Sequence, residues 1–178
     1  TKEVVFINPP FLKGFSRESR SPAVTKSSTL YYPAWLAYAC GFLEKHNIES
    51  ILYDFVANKT AHGDACLQVR NNNPKLIVIG TSTPSIENDA SFAYNLKLLL
   101  PDSHICLVGT HVSSTPNETL EKYSHVDSIA RKEYDQTILE LFKRIKSSES
   151  IGGLEGLSWR DRESNKIINE KERQYLHN

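Results

Sequence analysis

The chain has 178 residues, 39% hydrophobic and 24% charged, enough for one globular domain with a full core. Lys+Arg and Asp+Glu both total 21, so net charge gives no reason to expect nucleic acid or an acidic membrane as a partner. No apolar run reaches the length of a membrane span, and no signal peptide is legible before the first strand-like run.

Glu3 to Asn8 reads as a first strand, ended by Pro9-Pro10 because neither residue donates to a ladder. Phe11 to Leu30 is a long Ser- and Arg-rich loop without periodicity, the kind that is functional or a surface insertion. Tyr31-Tyr32-Pro33 opens a helix whose apolar face is expected to hold Trp35, Leu36, Ala39, Phe42 and Leu43, and His46-Asn47 closes it. Ser50 to Asp54 is a second strand. A weaker helix runs from His62 to Asn71 and is stopped by Asn71-Asn72-Asn73-Pro74.

Leu76 to Gly80 is the most apolar strand and belongs at the sheet centre. Thr81-Ser82-Thr83-Pro84-Ser85 follows it, a hydroxyl-rich turn before a helix from about Ser85 to Leu100. Ile105 to Gly109 is a fourth strand, followed by a second turn of the same kind, Thr110-His111-Val112-Ser113-Ser114-Thr115-Pro116. Ser85 and Thr115 are expected to cap the helices they precede. A short helix from Asn117 to Tyr123, a short strand from Val126 to Ala130 and a helix carrying Ile138, Leu141, Phe142 and Ile145 complete the alternation.

This pattern predicts an α/β fold: a doubly wound, Rossmann-like or flavodoxin-like, five-stranded parallel sheet with helices on both faces. Leu154 to Asn169 adds a C-terminal β extension, a hairpin around Asp161–Asn165. The expected division is a binding domain over 1–148 and an extension and linker over 149–178. The chain has no Met, and its polar end from Asn169 to Asn178 reads as a point where more protein follows.

Several chemistries fail at the motif level. The first turn is Asn8-Pro9-Pro10-Phe11, not the Gly-rich loop of a dinucleotide fold, a P-loop or a flavodoxin phosphate loop. A phosphoreceiver needs an acidic pair where Asn8 stands and an Asp where Gly80 stands. Asp102-Ser103-His104 lacks the context of the cobalt-ligating Asp-x-His-x-x-Gly motif, so His104 is expected in a surface turn and no residue is expected to bind metal. Cys40, Cys66 and Cys106 make no metal motif, and their odd number argues against a disulfide framework; buried thiols in a reducing cytoplasm are expected. Nothing resembles a nucleophile–base constellation, so no catalytic residue is assigned.

Seven segments match one family in order. They are Val5-Phe6-Ile7-Asn8-Pro9-Pro10, Tyr32-Pro33-Ala34-Trp35-Leu36-Ala37-Tyr38, Asp54 at a strand end, Ile79-Gly80-Thr81-Ser82, Val108 to Pro116, Val126 to Asp135, and Leu154 to Arg160. On these, the chain resembles the N-terminal cobalamin-binding domain of cobalamin-dependent radical SAM enzymes. Thr110 departs from the usual Pro, and Lys132 and Tyr134 stand where the family has glycines.

The resemblance implies cobalamin as the cofactor. Hydroxyls of Thr81, Ser82, Thr83, Ser113 and Ser114 would bond its nucleotide tail, with Thr110, His111 and Val112 in the same loop. Gly80 and Gly109 would allow close approach, and Glu133 and Tyr134 would border the tail. The turn Asn8, Pro9, Pro10 and Phe11, with parts of the loop to Leu30, would flank the corrin. Gly109→Val would then abolish binding and spare the fold, provided that Gly109 does not need positive φ. The resemblance also implies a partner domain downstream that carries a 4Fe-4S cluster and S-adenosylmethionine, since its Cys-x-x-x-Cys-x-x-Cys motif is absent here. The alternative is a ligand-free α/β interaction or regulatory domain.

Overall fold

The computed structural model describes residues 1–18, 22–24 and 30–174. Residues 19–21 and 25–29 of the long loop, and 175–178 of the polar end, lie outside the described residues. In chain order the strands are β1 (Val4–Asn8), β2 (Phe15–Ser16), β3 (Ala23–Val24), β4 (Ser50–Asp54), β5 (Leu76–Gly80), β6 (His104–Val108), β7 (Ser128–Ala130), β8 (Leu157–Asp161) and β9 (Lys166–Asn169). The helices are α1 (Ala34–Lys45), α2 (His62–Asn72), α3 (Ile86–Leu99), α4 (Thr110–Ser114), α5 (Pro116–Lys122) and α6 (Asp135–Lys146).

One sheet has the order β4-β1-β5-β6-β7-β8-β9. Its first five strands are parallel, as the alternating pattern predicts, and β5 is the central one of these five. The β extension does not stand apart: β8 pairs antiparallel with β7 and β9 with β8, so among the described residues the sheet has seven strands. Part of the unpatterned loop also forms a small hairpin of β2 and β3.

Strand alternation sends side chains to two separate cores. Val4 and Phe6 join Leu36, Leu43 and Leu141 beneath α1 and α6. Val5 and Ile7 join Phe92, Leu96 and Leu120 beneath α2, α3 and α5. The three thiols are buried, Cys40 in the first core and Cys66 in the second, and burial pushes Cys66 up to about 11 and Cys106 up to about 12.

Strand order reverses between β1 and β5, because the chain goes from β1 outward to β4 and then back past β1. Ligands of open α/β sheets sit outside the carboxyl ends of the strands at such a point. The register brings Asn8 opposite Asp54 and Gly80 opposite Val108, so the loops that follow emerge along one edge.

Three local expectations are corrected. Trp35 does not lie on the buried face of α1: it is 63% exposed, while Leu36, Ala39, Cys40 and Leu43 carry that face. Ser85 and Thr115 make no cap hydrogen bond; Ser85 Oγ donates to Asp89 at 2.6 Å, and Thr115 Oγ1 donates to the His111 carbonyl at 3.0 Å. His104 is not in a surface turn. It opens β6, is partly buried, and bonds Ser128 Oγ at 2.7 Å.

Candidate functional site

The Asn-Pro-Pro turn ends β1 because two prolines in succession remove two ladder donors. Their carbonyls and the Asn8 side chain still need partners, and all find them. Asn8 Nδ2 donates to Asp54 at 2.8 Å, and Asn88 Nδ2 donates to the Pro10 carbonyl at 2.8 Å. Arg17 reaches back to donate to Asn8 Oδ1 at 2.9 Å and to the Pro9 carbonyl at 2.8 Å. The same guanidinium pairs with Asp89 of α3 at 2.5 Å, with side-chain exposures of 3% and 0%. It also lies 5.6 Å from the ring centres of both Phe11 and Phe15. Burial pushes the Asp89 carboxyl above the usual range, and Arg17, Ser85 and Asn88 pull against that.

The loop after β5 divides into an inner and an outer part. Thr81 is buried, its Oγ1 donating to the Val108 carbonyl at 2.8 Å, and Ser82 Oγ is paired with Ser85 Oγ at 2.7 Å. Thr83 is exposed and meets His111 Nδ1 at 3.2 Å, a contact that bridges the loops after β5 and β6.

Gly109 leads from β6 into α4 with φ 127° and ψ 167°, a region open to glycine alone. A Cβ there would lie 2.5 Å from the Thr81 carbonyl oxygen. The close approach at Gly109 is therefore to Thr81, and the provision attached to Gly109→Val is not met. Beyond it, Thr110–Ser114 is a short helix rather than an open turn. Thr110 and Ser114 are exposed, and His111 and Ser113 are partly exposed. Val112 turns into the core. Ser113 Oγ accepts from the Lys132 amide at 3.0 Å, and Ser114 Oγ donates to the Thr110 carbonyl at 3.0 Å.

After β7, Lys132 has φ 60°, so the left-handed conformation that the glycine-bearing motif favours is kept by a non-glycine residue. Glu133 is exposed and lines a cavity of about 700 Å³ with Arg131, Lys132, Glu155 and Arg173. Tyr134 is buried at 9% exposure, and burial raises its hydroxyl pKa. Beyond β1, Pro10 and Phe11 line a second cavity of about 320 Å³ with Phe55, Val56 and Lys59.

The exposed donor set is therefore hydroxyls, one imidazole and a carboxylate, with the Glu133 carboxylate lining one cavity. It fits a large ligand rich in amides and hydroxyls that brings its own metal. It does not fit an iron–sulfur cluster, because Cys40, Cys66 and Cys106 are buried in three different elements. Among the described residues no group of three or more His, Cys, Asp or Glu could hold a metal ion.

A family model for the B12 binding domain matches residues 20–142. The chain belongs to the B12-binding domain family. It is 25% identical over 147 residues to an uncharacterized methyltransferase of Pyrococcus horikoshii, covering 82% of this chain and 31% of that protein. It is 24% identical over 162 residues to the anaerobic magnesium-protoporphyrin IX monomethyl ester cyclase of Cereibacter sphaeroides, covering 89% of this chain and 25% of that protein. The chain thus spans about a third or less of the length of these relatives.

Among solved structures, the radical S-adenosylmethionine methyltransferase TsrM of Kitasatospora setae superposes with a TM-score of 0.76 at 13% identity, over 96% of this chain and 30% of that one. The cobalamin-dependent S-adenosylmethionine radical enzyme OxsB, with aqua-cobalamin bound, gives 0.77 at 14% identity, over 98% and 23%. The fold and the resemblance drawn from the motifs are borne out, and none of these comparisons supports a ligand-free scaffold.

Sequence reasoning missed Arg17, Glu18, Asn88 and Asp89. One signal was available: Asp89, Ala93, Leu96 and Leu100 share a helical stripe, and an acid on an apolar stripe calls for a buried partner. Its partner lies 72 residues away, inside a segment without periodicity.

Proposed function

We propose that this B12-binding domain is the corrinoid-holding part of a larger cobalamin-dependent radical SAM enzyme, in which a separate domain carries the 4Fe-4S cluster and S-adenosylmethionine. The observation that carries this reading is the pair of bridged loops after β5 and β6. They present Thr83, Thr110, His111, Ser113 and Ser114 next to the strand-order reversal. These side chains hold the nucleotide tail, and Glu133 borders it. The Asn8–Phe11 turn flanks the corrin. Thr81, Ser82, Val112 and Tyr134 shape the loops from below.

Residues 1–148 form the binding unit, and 149–178 lead toward the partner domain. The cobalamin supplies the carrier chemistry, and the chain binds it, orients it and excludes water. Three buried thiols suit a reducing cytoplasm. No helix of the described residues is long and apolar enough to cross a membrane.

Titration with hydroxocobalamin, followed by visible absorbance and by retention on gel filtration, tests the reading. Binding should be measurable at micromolar protein and weaken in Thr83→Ala/Ser114→Ala. Absence of any spectral change or retention at high micromolar protein would refute it. Electron paramagnetic resonance of the cobalt(II) form should show no nitrogen splitting that vanishes in His111→Ala, because His111 is engaged with Thr83.

A further inference from the structure

Ser16, Arg17 and Glu18 are consecutive, and each makes a polar link to another part of the fold. Ser16 Oγ accepts from the Tyr31 amide at 2.7 Å, just ahead of α1. Glu18 Oε2 accepts from the Trp35 amide at 3.0 Å in the first turn of α1. Arg17 points the other way, with Nε 3.3 Å and a terminal nitrogen 2.5 Å from the Asp89 carboxylate of α3. α1 and α3 lie on opposite faces of the sheet. The segment therefore crosses the carboxyl edge beside β1 and clasps both layers, at the place where strand order reverses.

What the clasp holds is the Asn-Pro-Pro turn. Arg17 takes Asn8 Oδ1 and the Pro9 carbonyl, Asn88 takes the Pro10 carbonyl, and Asn8 in turn donates to Asp54 at the end of β4. An apolar pair of the same volume would be spared the desolvation of two charges, but it would leave Asn8 Oδ1 and the Pro9 carbonyl without their donor. It could not satisfy a proline carbonyl and an amide oxygen at fixed directions, which a guanidinium with five donors does. The distinguishing contribution of this buried pair is the geometry it imposes on the turn.

We infer that Arg17, oriented by Asp89, is a positioning residue for the corrinoid: it locks the Asn8–Phe11 turn into the shape that the ligand meets, without touching the ligand. The inference rests on the corrinoid reading above. Ordering the turn before the ligand arrives removes that ordering from the binding step, so loss of the clasp is read as weaker affinity.

The test compares hydroxocobalamin dissociation constants, thermal melts and visible spectra for the 178-residue chain and four variants. Arg17→Met and Asp89→Asn should each weaken binding at least tenfold. Asp127→Asn is the control. It breaks a comparable buried carboxylate cluster at the amino end of β7, bonded by Lys97 at 2.9 Å and by the Ile105 amide at 2.8 Å, and should lower the melt yet leave affinity within twofold. The double variant Arg17→Met/Asp89→Leu removes both buried charges but leaves the acceptors of the turn unpaired, so it should not restore the affinity. Restoration of the affinity in the double variant, or an equal loss of affinity in Asp127→Asn, would overturn the inference. So would binding by Arg17→Met and Asp89→Asn that matches the unmodified chain. If the unmodified chain itself binds no hydroxocobalamin, the corrinoid reading falls and takes the inference with it.

Discussion

Gly109→Ala should unfold the chain more readily by about 2–5 kcal/mol. Two contributions make up that figure. The backbone at φ 127°, ψ 167° is available to glycine alone, and an L-residue held there costs about 1–3 kcal/mol. The added Cβ would also lie 2.5 Å from the Thr81 carbonyl oxygen and 2.9 Å from Thr81 Oγ1. Thr81 cannot retreat cheaply, because its amide and its hydroxyl both donate to the Val108 carbonyl, at 2.9 and 2.8 Å. Moving it loses one or both of those bonds, at about 1 kcal/mol each.

Urea unfolding at 25 °C, followed by far-ultraviolet circular dichroism, measures the effect as a lower midpoint at unchanged slope. At roughly 2–4 °C per kcal/mol for a chain of this size, Tm falls by roughly 4–20 °C. Gly41→Ala provides the contrast: mid-α1, with nothing within 4 Å of the new Cβ, it should stabilise by about 0.5–1 kcal/mol. A Gly109→Ala chain within about 0.5 kcal/mol of the parent would refute the reasoning, because neither the backbone conformation nor the approach to Thr81 would then matter.

Acid should destabilise the chain in a defined window. Burial holds His104 down to about 4 from an ordinary 6.5, against the pull of Asp127, with Lys97 and Arg162 adding to the lowering. Stability present above pH 6.5 is therefore lost as pH falls toward 4, by about 3 kcal/mol. His62 and His125 are lowered by burial too, so the His104 share is read as a flatter pH profile in His104→Gln, and an unchanged profile would count against it. Neighbouring positions on α1 should behave in opposite ways in urea: Leu36→Ala, at 2% exposure, costs about 2–5 kcal/mol, whereas Trp35→Ala, at 63%, stays within about 0.5 kcal/mol. Equal losses would mean that α1 is rotated relative to the structure.

β1, β5 and β6 were legible because they are buried on both faces and so read as nearly unbroken apolar runs. Leu76–Gly80 is the clearest, and it is the central parallel strand. Helix faces were less legible. In α1 both Trp35 and Leu36 are compatible with an apolar stripe, and the stripe that packs runs through 36, 39, 40 and 43, leaving 35 and 38 outside. α4 was hidden for a different reason. Thr110-His111-Val112-Ser113-Ser114 has poor helix propensity, and the helix forms because Gly109 turns the chain and the Ser113 amide finds the Gly109 carbonyl at 3.1 Å. Within the candidate site, exposure could not be read from residue type. Thr81 and Thr83 are the same residue two positions apart, yet one is tied to β6 and the other faces outward.

The antiparallel hairpin at the end of the sheet also decides what the molecule shows to its own copies. Were the sheet to stop at β7, its last strand would be Ser128–Ala130, wholly buried in the present fold and able to recruit a strand from another chain. β8 covers that row of backbone donors and acceptors, and the terminal strand becomes β9, four residues long with exposed Lys166 and Asn169 at its ends. Asn169 is further occupied by Asn117 at 2.7 Å. A short strand that starts with a lysine is a poor template for strand addition, so the hairpin protects the sheet against intermolecular growth on that side.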